Sequence, residues 1–291
     1  MLVLDSGNAL FKTTSVGGAP REKERATFIL EQMDALGTVA MAVGARDLTL
    51  GTDFLLQAAR GRKMKLLSAN LADLSGKLFF PASTVVTVGG VKFGLVGLSP
   101  EGPQLTRRDI VGGPTLPAAL AEARRLRQKE KVDVVVVLAA IPYMEADTLA
   151  EKAGDAVDFV LQSNNGQNIR TPLRSATAWL VASGDRGRQV ARLALSVEGQ
   201  GPFADLSQAD QARESLRLLD QNLQTARTRM AETRDPALQK TWRENVASLE
   251  ARRQTLLKQG GEGKGALKRT DRKSTRLNSS HSGESRMPSS A

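Results

Sequence analysis

Ala42-Val43-Gly44-Ala45-Arg46-Asp47-Leu48-Thr49-Leu50-Gly51 is the stretch from which the rest of the chain can be read. It leaves the apolar run Thr38 to Val43 and turns at Gly44 toward a predicted helix, Thr52 to Arg60. An apolar strand ending in Gly and a charged pair marks where α/β folds expose reactive groups, because ligands gather beyond the carboxyl ends of the strands. Arg46 and Asp47 are therefore the first candidate site residues. The alternative is a local ion pair that closes the turn.

Working outward, Leu2 to Asp5 reads as a buried strand that delivers Asp5-Ser6-Gly7-Asn8 at its end. Ala26, Phe28, Ile29, Met33 and Leu36 have the spacing of an amphipathic helix over Lys23 to Leu36, closed by Gly37. Lys65 to Leu71 is the next strand, and this alternation predicts a parallel sheet. Ser83 to Val88 and Val91 to Leu98, β-branched runs around Gly89-Gly90, predict a hairpin. Pro117 to Lys131 reads as a helix, and Val132 to Leu138, with four consecutive valines, as a strand buried on both faces. Glu145 to Ala153 is predicted helical and Val157 to Ser163 a strand ending in Asn164-Asn165-Gly166. A second hairpin is expected from Ala176 to Ser183 and Gln189 to Val197 around Gly184. The pattern points to a mixed sheet or two stacked sheets with helices outside, ending near Gly199-Gln200-Gly201-Pro202.

Beyond that point Ala212, Leu216, Leu219, Leu223, Ala226 and Met230 form a heptad seam on a long helix that begins near Ser207. Asp235-Pro236 supplies an N-cap and a first-turn proline for a second helix, striped with Leu238, Trp242, Val246, Leu249 and Leu256. A short connection predicts an antiparallel helical hairpin. Its stripes either pack on the preceding domain or make an arm, over residues 207–258, for a protein partner or self-association. From about Gly260 the Gly, Ser, Lys and Arg composition predicts disorder. Lys273 to Ala291 is similar to read-through of sequencing-adaptor or cloning sequence, and is set aside for fold and function together with His281.

Composition narrows the chemistry. The 291 residues are 41% apolar, enough for one large or two smaller cores. There is no Cys, which removes disulfides, thiolate metal sites and cysteine nucleophiles, and the single His is His281. A Ser-His-Asp triad therefore has no base, and no glycine pair takes the phosphate-loop form with Lys-Ser/Thr. The acidic pairs Glu145/Asp147 and Asp155/Asp158 fall on or beside predicted helices and read as solvated faces. Of the net charge of +10, four charges lie from Gln259 onward, where seven Lys/Arg meet three acids. With eight Phe, two Trp and one Tyr there is no interleaving of basic and aromatic residues, so no nucleic-acid partner is expected. No apolar run reaches the ~20 residues of a membrane span, and Met1 runs straight into a strand without the order of a signal peptide. Strands preceding Leu2 are expected to be missing from this sequence.

The order Asp5-Ser6-Gly7-Asn8, Gly44-Ala45-Arg46-Asp47-Leu48 with Gly51, Leu67-Ser68-Ala69-Asn70-Leu71, Val88 to Pro100, Val132 to Pro142 and Val157 to Gly166 resembles the calcineurin-like metallophosphoesterases, most of all the 5'-nucleotidase and UDP-sugar hydrolase branch. The resemblance covers roughly residues 1 to 200. It implies an α/β fold, a four-layer α/β/β/α sandwich over residues 1–202, followed by the helical hairpin at 203–259 and the tail at 260–291. It also implies hydrolysis of phosphate esters by two divalent metals in a periplasmic or secreted bacterial protein.

The family's metal ligands are not matched. Its Asp-x-His would precede Met1. Asn8 stands at the bridging Asp, Ala45 at the ligand Asn, Arg46 at the catalytic His and Ala140 at the next ligand His. Asn164 and Gly166 stand at the Gly-His-x-His pair, and Asp47 alone keeps its acidic character. A neutral amide binds a divalent cation far more weakly than a carboxylate, and an arginine repels metals in a site of reduced dielectric. The expectation is therefore a degenerate domain with no catalytic residue, no metal and no cofactor, acting as a binding or scaffold module. The rival reading is a metal-dependent hydrolase of nucleotides or other phosphate esters. Asp5, Asn8, Arg46, Asp47 and Asn164 are the candidate anion or vestigial site. Arg46 either holds a phosphate-containing ligand bidentately with Asn8 and Asn164, or pairs with Asp47 or Asp5.

Overall fold

A computed structural model describes residues 1–15, 19–102, 105, 109–163, 173–175, 178–182, 190–197, 201–203, 207–233 and 235–264. Asn164 to Gly166, most of the predicted tail and the Gly184 turn lie outside the described residues. Two compact units are present, the first Met1–Arg192 and the second beginning at Leu193.

The first unit is built on two principal sheets. Strands β1 (Val3–Asp5), β2 (Thr38–Ala42) and β3 (Lys65–Leu67) form a parallel three-stranded sheet in that order. Helices α1 (Ala19–Ala35) and α2 (Thr52–Ala59) supply its connections. Ala26, Leu30 and Leu55 from these helices meet Met41, Val43 and Leu66 from the sheet in one buried cluster. Phe28 and Leu36, expected on the buried stripe, are 58% and 75% exposed instead. The stripe is narrower than the residue types suggested because Ala26, Ile29, Leu30 and Met33 already complete it.

The larger sheet contains β5 (Ser83–Val88), β6 (Val91–Leu98), β8 (Val134–Ala139), β9 (Phe159–Gln162), β10 (Leu173–Ser175) and β11 (Ala178–Ala182), in the order β10-β11-β9-β8-β6-β5. β5 and β6 pair antiparallel through the Gly89-Gly90 turn. Strands β6, β8, β9 and β11 run parallel to one another. Every residue of β8 is buried, because alternate side chains face opposite sides and both sides are covered. Val135, Val137 and Ala139 meet helices α3 (Thr115–Arg125) and α4 (Tyr143–Lys152) in a second cluster.

The predicted hairpin of Ala176 to Ser183 with Gln189 to Val197 is corrected. Residues 190–197 contain no strand. β11 already has β10 antiparallel on one edge and β9 parallel on the other, so no edge remains for a following strand. A small antiparallel pair, β4 (Leu71–Ala72) with β7 (Val111–Gly112), had no sequence signal at two residues per strand. Helix α3 ends in a π-helical turn, Leu126–Glu130, closed by Lys131 at a left-handed φ of 53°. This turn sends Arg127 to the carbonyls of Val132 and Asp133 and to Asp158 Oδ2 at 2.5 Å. Asp158 in turn accepts from the Val135 N–H at the start of β8.

The two sheets meet closely where Gly97 of β6 lies against β3. A Cβ on Gly97 would stand 2.2 Å from the Leu67 carbonyl oxygen, so only a residue without a side chain permits this approach. Ala69 N–H donates to the Gly97 carbonyl at 2.8 Å and carries the contact on past the strand end.

In the second unit α5 (Ser207–Glu232) and α6 (Pro236–Lys264) pack along each other. Asp220 pairs with Arg253 and Arg227 with Glu250, so one helix rises as the other falls in number and the two run antiparallel. Leu223, Ala226 and Val246 are buried between them with Trp242 and Leu249 alongside. Among the described residues no helix is long and apolar enough to cross a membrane.

Candidate functional site

The carboxyl ends of β1, β2, β8 and β9 converge on one corner of the first unit. Gly7, at a φ of 92°, lies so close to its neighbours that a Cβ would meet the Ala42 carbonyl oxygen at 2.5 Å and the Ala140 Cβ at 3.0 Å. Asn8 follows with a φ of 60°, a left-handed conformation that Asn tolerates better than most residues. Gly44 is equally constrained, since a Cβ there would run into the Asn8 side chain at 2.4 Å.

This geometry aims the Asn8 amide across the corner. Its Oδ1 accepts from the Arg46 N–H at 3.1 Å, and its Nδ2 donates to Ser163 Oγ at 3.0 Å. Asn8 thereby ties the end of β1 to the ends of β2 and β9.

Asp47 has no exposed surface, yet its carboxylate is fully provided for. Oδ2 accepts from the Asn8 N–H at 2.7 Å and the Gly44 N–H at 2.9 Å, and Oδ1 from the Leu10 N–H at 3.0 Å. Burial pushes its pKa up to about 6 against the pull of these three donors, and the negative charge of Asp5 adds to the rise. Asp5 is also raised by burial, and the Gly7 N–H, 2.7 Å from its Oδ1, opposes that rise.

Arg46 stands apart from these acids. Its Nη1 donates to the Lys12 carbonyl at a long 3.3 Å, and its Nε is buried with no partner. No ion pair of Arg46 occurs among the described residues, so its expected pairing with Asp47 or Asp5 is replaced by a different arrangement. Asp47 does close the turn, but through the Gly44 amide. The structure therefore joins Asn8, Asp47 and the Arg46 backbone in one hydrogen-bonded network, with the Asp5 charge close enough to act on Asp47. Asn164 lies outside the described residues.

Sequence reasoning missed Ser163, which bears no motif, and a second polar node below the corner. Ser68 Oγ and Ser99 Oγ are 2.7 Å apart, and Ser99 Oγ donates to the Val43 carbonyl at 2.6 Å. Asn70 Nδ2 donates to the carbonyls of Ser99 and Gly113 at 2.8 and 2.9 Å, while its Oδ1 accepts from the Ser99 N–H. These buried groups satisfy one another and hold the strand ends in register.

Comparison with known proteins places this architecture. No family model matches the chain. An apyrase of Tabanus yao is 28% identical over 139 residues, 44% of this chain and 24% of that protein. The sulfate thiohydrolase SoxB of Thermus thermophilus superposes with a TM-score of 0.57 at 23% identity, over 67% of this chain and 35% of SoxB. A 5'-nucleotidase precursor, also from Thermus thermophilus, gives 0.53 at 21% identity, over 64% of this chain and 40% of the precursor. The chain has the fold of the calcineurin-like, 5'-nucleotidase-like metallophosphoesterases. It spans about a quarter of the length of the apyrase and well under half of SoxB and the precursor.

A metallophosphoesterase centre holds two divalent cations, which clamp the attacking and leaving oxygens of an in-line displacement. The described residues at this corner have their polar atoms engaged within the protein instead. Both oxygens of Asp47 and one of Asp5 are taken by main-chain amides, and Asn8 uses both ends of its side-chain amide within the protein. Among the described residues, no group of three or more His, Asp or Glu gathers in a form that could hold a metal.

Proposed function

We propose that this chain is a binding or scaffold module on a 5'-nucleotidase-like fold, working without the dinuclear metal centre. The single observation that carries the reading is the commitment of Asp47, the one acid at a family ligand-motif position, to the amides of Asn8, Leu10 and Gly44. Asn8 spans the corner as a neutral crosslink, and Ala140 adds no donor beside it.

The test uses the full chain incubated with Mn²⁺, Zn²⁺ and Fe²⁺, desalted, and assayed for bound metal by mass spectrometry. Turnover of p-nitrophenyl phosphate and AMP is followed in parallel. The expected result is metal well below one equivalent and no turnover above buffer. The rival, a metal-dependent hydrolase of nucleotides or other phosphate esters, draws support from the likeness to an apyrase. Stoichiometric metal together with chelator-sensitive turnover would establish it and overturn the binding-module reading.

The second part of the proposal assigns α5 and α6 to contact with a second copy of the chain. Leu218, Leu238 and Leu257 are exposed on these helices, whereas Leu223 is buried between them. Light scattering of the wild-type chain and of Leu218→Glu with Leu257→Glu tests it. A monomeric wild-type mass removes this assignment.

A further inference from the structure

We propose that the open edge of β5 is a self-pairing surface through which two copies of the chain join into one continuous sheet. The surface is separate from the strand-end corner and from the α5 and α6 contact, and depends on neither. In the larger sheet β5 lies at the end, with β6 as its one neighbour. The hairpin register fixes which of its backbone groups face outward. Gly89 and Gly90, at φ of 59° and 80°, form a two-residue turn, so Val88 and Val91 close the ladder as a hydrogen-bonded pair. Bonded pairs then alternate along the hairpin, at Val86 with Phe93 and at Thr84 with Leu95. The Gly97 N–H donating to the Ala82 carbonyl continues that alternation. Lys92, opposite Thr87, turns its own N–H and carbonyl away from β5 to Asp133, as an unbonded pair must. Ser83, Val85 and Thr87 therefore aim N–H and C=O outward, and among the described residues these groups meet no main-chain partner on that side.

An open edge is a template for another strand, and proteins commonly blunt one by keeping it short or by placing a charge or proline on it. The other outer strands of the two principal sheets follow that pattern. Strands β1, β3 and β10 have three residues each and carry Asp5, Lys65 and Arg174. In contrast, β5 has six residues, Ser-Thr-Val-Val-Thr-Val, with no charge and no proline. Val85 packs against the helix-covered cluster, so the strand is seated on the core. A second copy is the occupant that this strand fits. With a two-fold axis through Val85, antiparallel pairing sets Val85 against Val85, Thr84 against Val86 and Ser83 against Thr87. All three outward residues then exchange main-chain bonds, and every side-chain pair is uncharged. A register centred on Val86 would engage only Val85 with Thr87 within the strand.

The chain has no cysteine, so single cysteines report the register directly. Val85→Cys and Thr87→Cys, each in the full chain, are oxidised with diamide and resolved without reductant. The two-fold places position 85 opposite itself, at about 5.5 Å between Cα atoms, within reach of a disulfide. Position 87 lies opposite 83, about 13 Å along the strand from its own counterpart and out of reach. The expected result is at least tenfold more covalent dimer from Val85→Cys than from Thr87→Cys, although Thr87 is the more exposed residue. Equal or reversed yields, or no dimer from either, overturn the proposal. Light scattering separates this edge from the helical contact. In the Leu218→Glu with Leu257→Glu background a dimer should persist, and adding Val85→Pro should raise its dissociation constant at least tenfold. Proline at 85 removes an outward N–H and none from the ladder to β6. A dimer that survives the proline overturns the inference. A monomer in the leucine background, where the wild type is dimeric, overturns it in favour of the helices, and a monomeric wild type overturns both contacts. The metal-free module is decided separately by the metal and turnover assays.

Discussion

At the scale of single residues, Asp47 shows how an acid can be used for architecture. Its two oxygens terminate three amides from two separate segments, Asn8 and Leu10 on one side and Gly44 on the other. Replacing it with Ala leaves three shielded N–H groups without acceptors, at about 1–3 kcal/mol for each. Asp47→Ala is therefore expected to lose roughly 3 kcal/mol or more in urea unfolding. The same residue gives a signature in pH. Its folded-state pKa of about 6 lies above the ordinary 3.8, so the folded chain holds the proton more tightly than the unfolded one. The stability tied to that proton is fully present below about pH 4 and is lost as pH rises through about 6, a change of roughly 3 kcal/mol. Subtracting the pH–stability curve of Asp47→Asn from that of the wild type should expose this fall. A flat difference between pH 4 and 7 would contradict it. From the sequence, the position of Asp47 at a strand end was legible, but its partners were not. They are main-chain amides, and backbone groups carry no residue signature.

Among the elements, Gly97 and Gly94 of the same strand separate two kinds of close packing. A methyl group at 97 would collide with the Leu67 carbonyl, which belongs to a strand and cannot move alone. At 94 it would meet the Leu126 Cδ1 at 2.9 Å, the far end of a side chain able to change rotamer. Gly97→Ala should cost about 3 kcal/mol and Gly94→Ala no more than about 1 kcal/mol, as measured by denaturant midpoints at constant m. In the helical pair, Leu223→Ala should cost about 2–5 kcal/mol and appear as lost amide-exchange protection along α5 and α6. The ion pairs Arg227–Glu250 and Arg253–Asp220 are largely exposed and should contribute far less. Periodicity made these helices, the valine strand and the Gly-Gly hairpin legible in advance. It could not show that β11 is fully paired, because which strands neighbour one another is decided by long-range packing. The π-helical turn escaped for a related reason. Arg127 within it bonds to Val132, Asp133 and Asp158, partners that carry no signal in the helix itself.

For the molecule as a whole, fold and chemistry were legible to different degrees. Motif order along residues 1 to 200 was sufficient to anticipate the metallophosphoesterase fold. The state of the corner was legible only as a set of departures, Asn8, Ala45, Arg46 and Ala140. How they fit together required coordinates, since Ser163, the partner of Asn8, is remote in sequence. A fold that binds a metal only when native gains about 2.7 kcal/mol when the metal is at a hundred times its dissociation constant. The metal-free reading predicts no such gain. Thermal unfolding of the full chain should have the same midpoint in EDTA, in Mn²⁺ and in Zn²⁺, and a rise of several degrees with either ion would count against it.

The Asn8 crosslink also limits how this corner could be redesigned. Changing Asn8 to Asp alone would bring a third buried carboxylate beside Asp5 and Asp47, both already resisting ionisation, and would remove the donor that Ser163 accepts. Under the metal-free reading, an acidic cluster at this corner would therefore need several substitutions made together, because each single one leaves a buried charge or an unpaired donor behind.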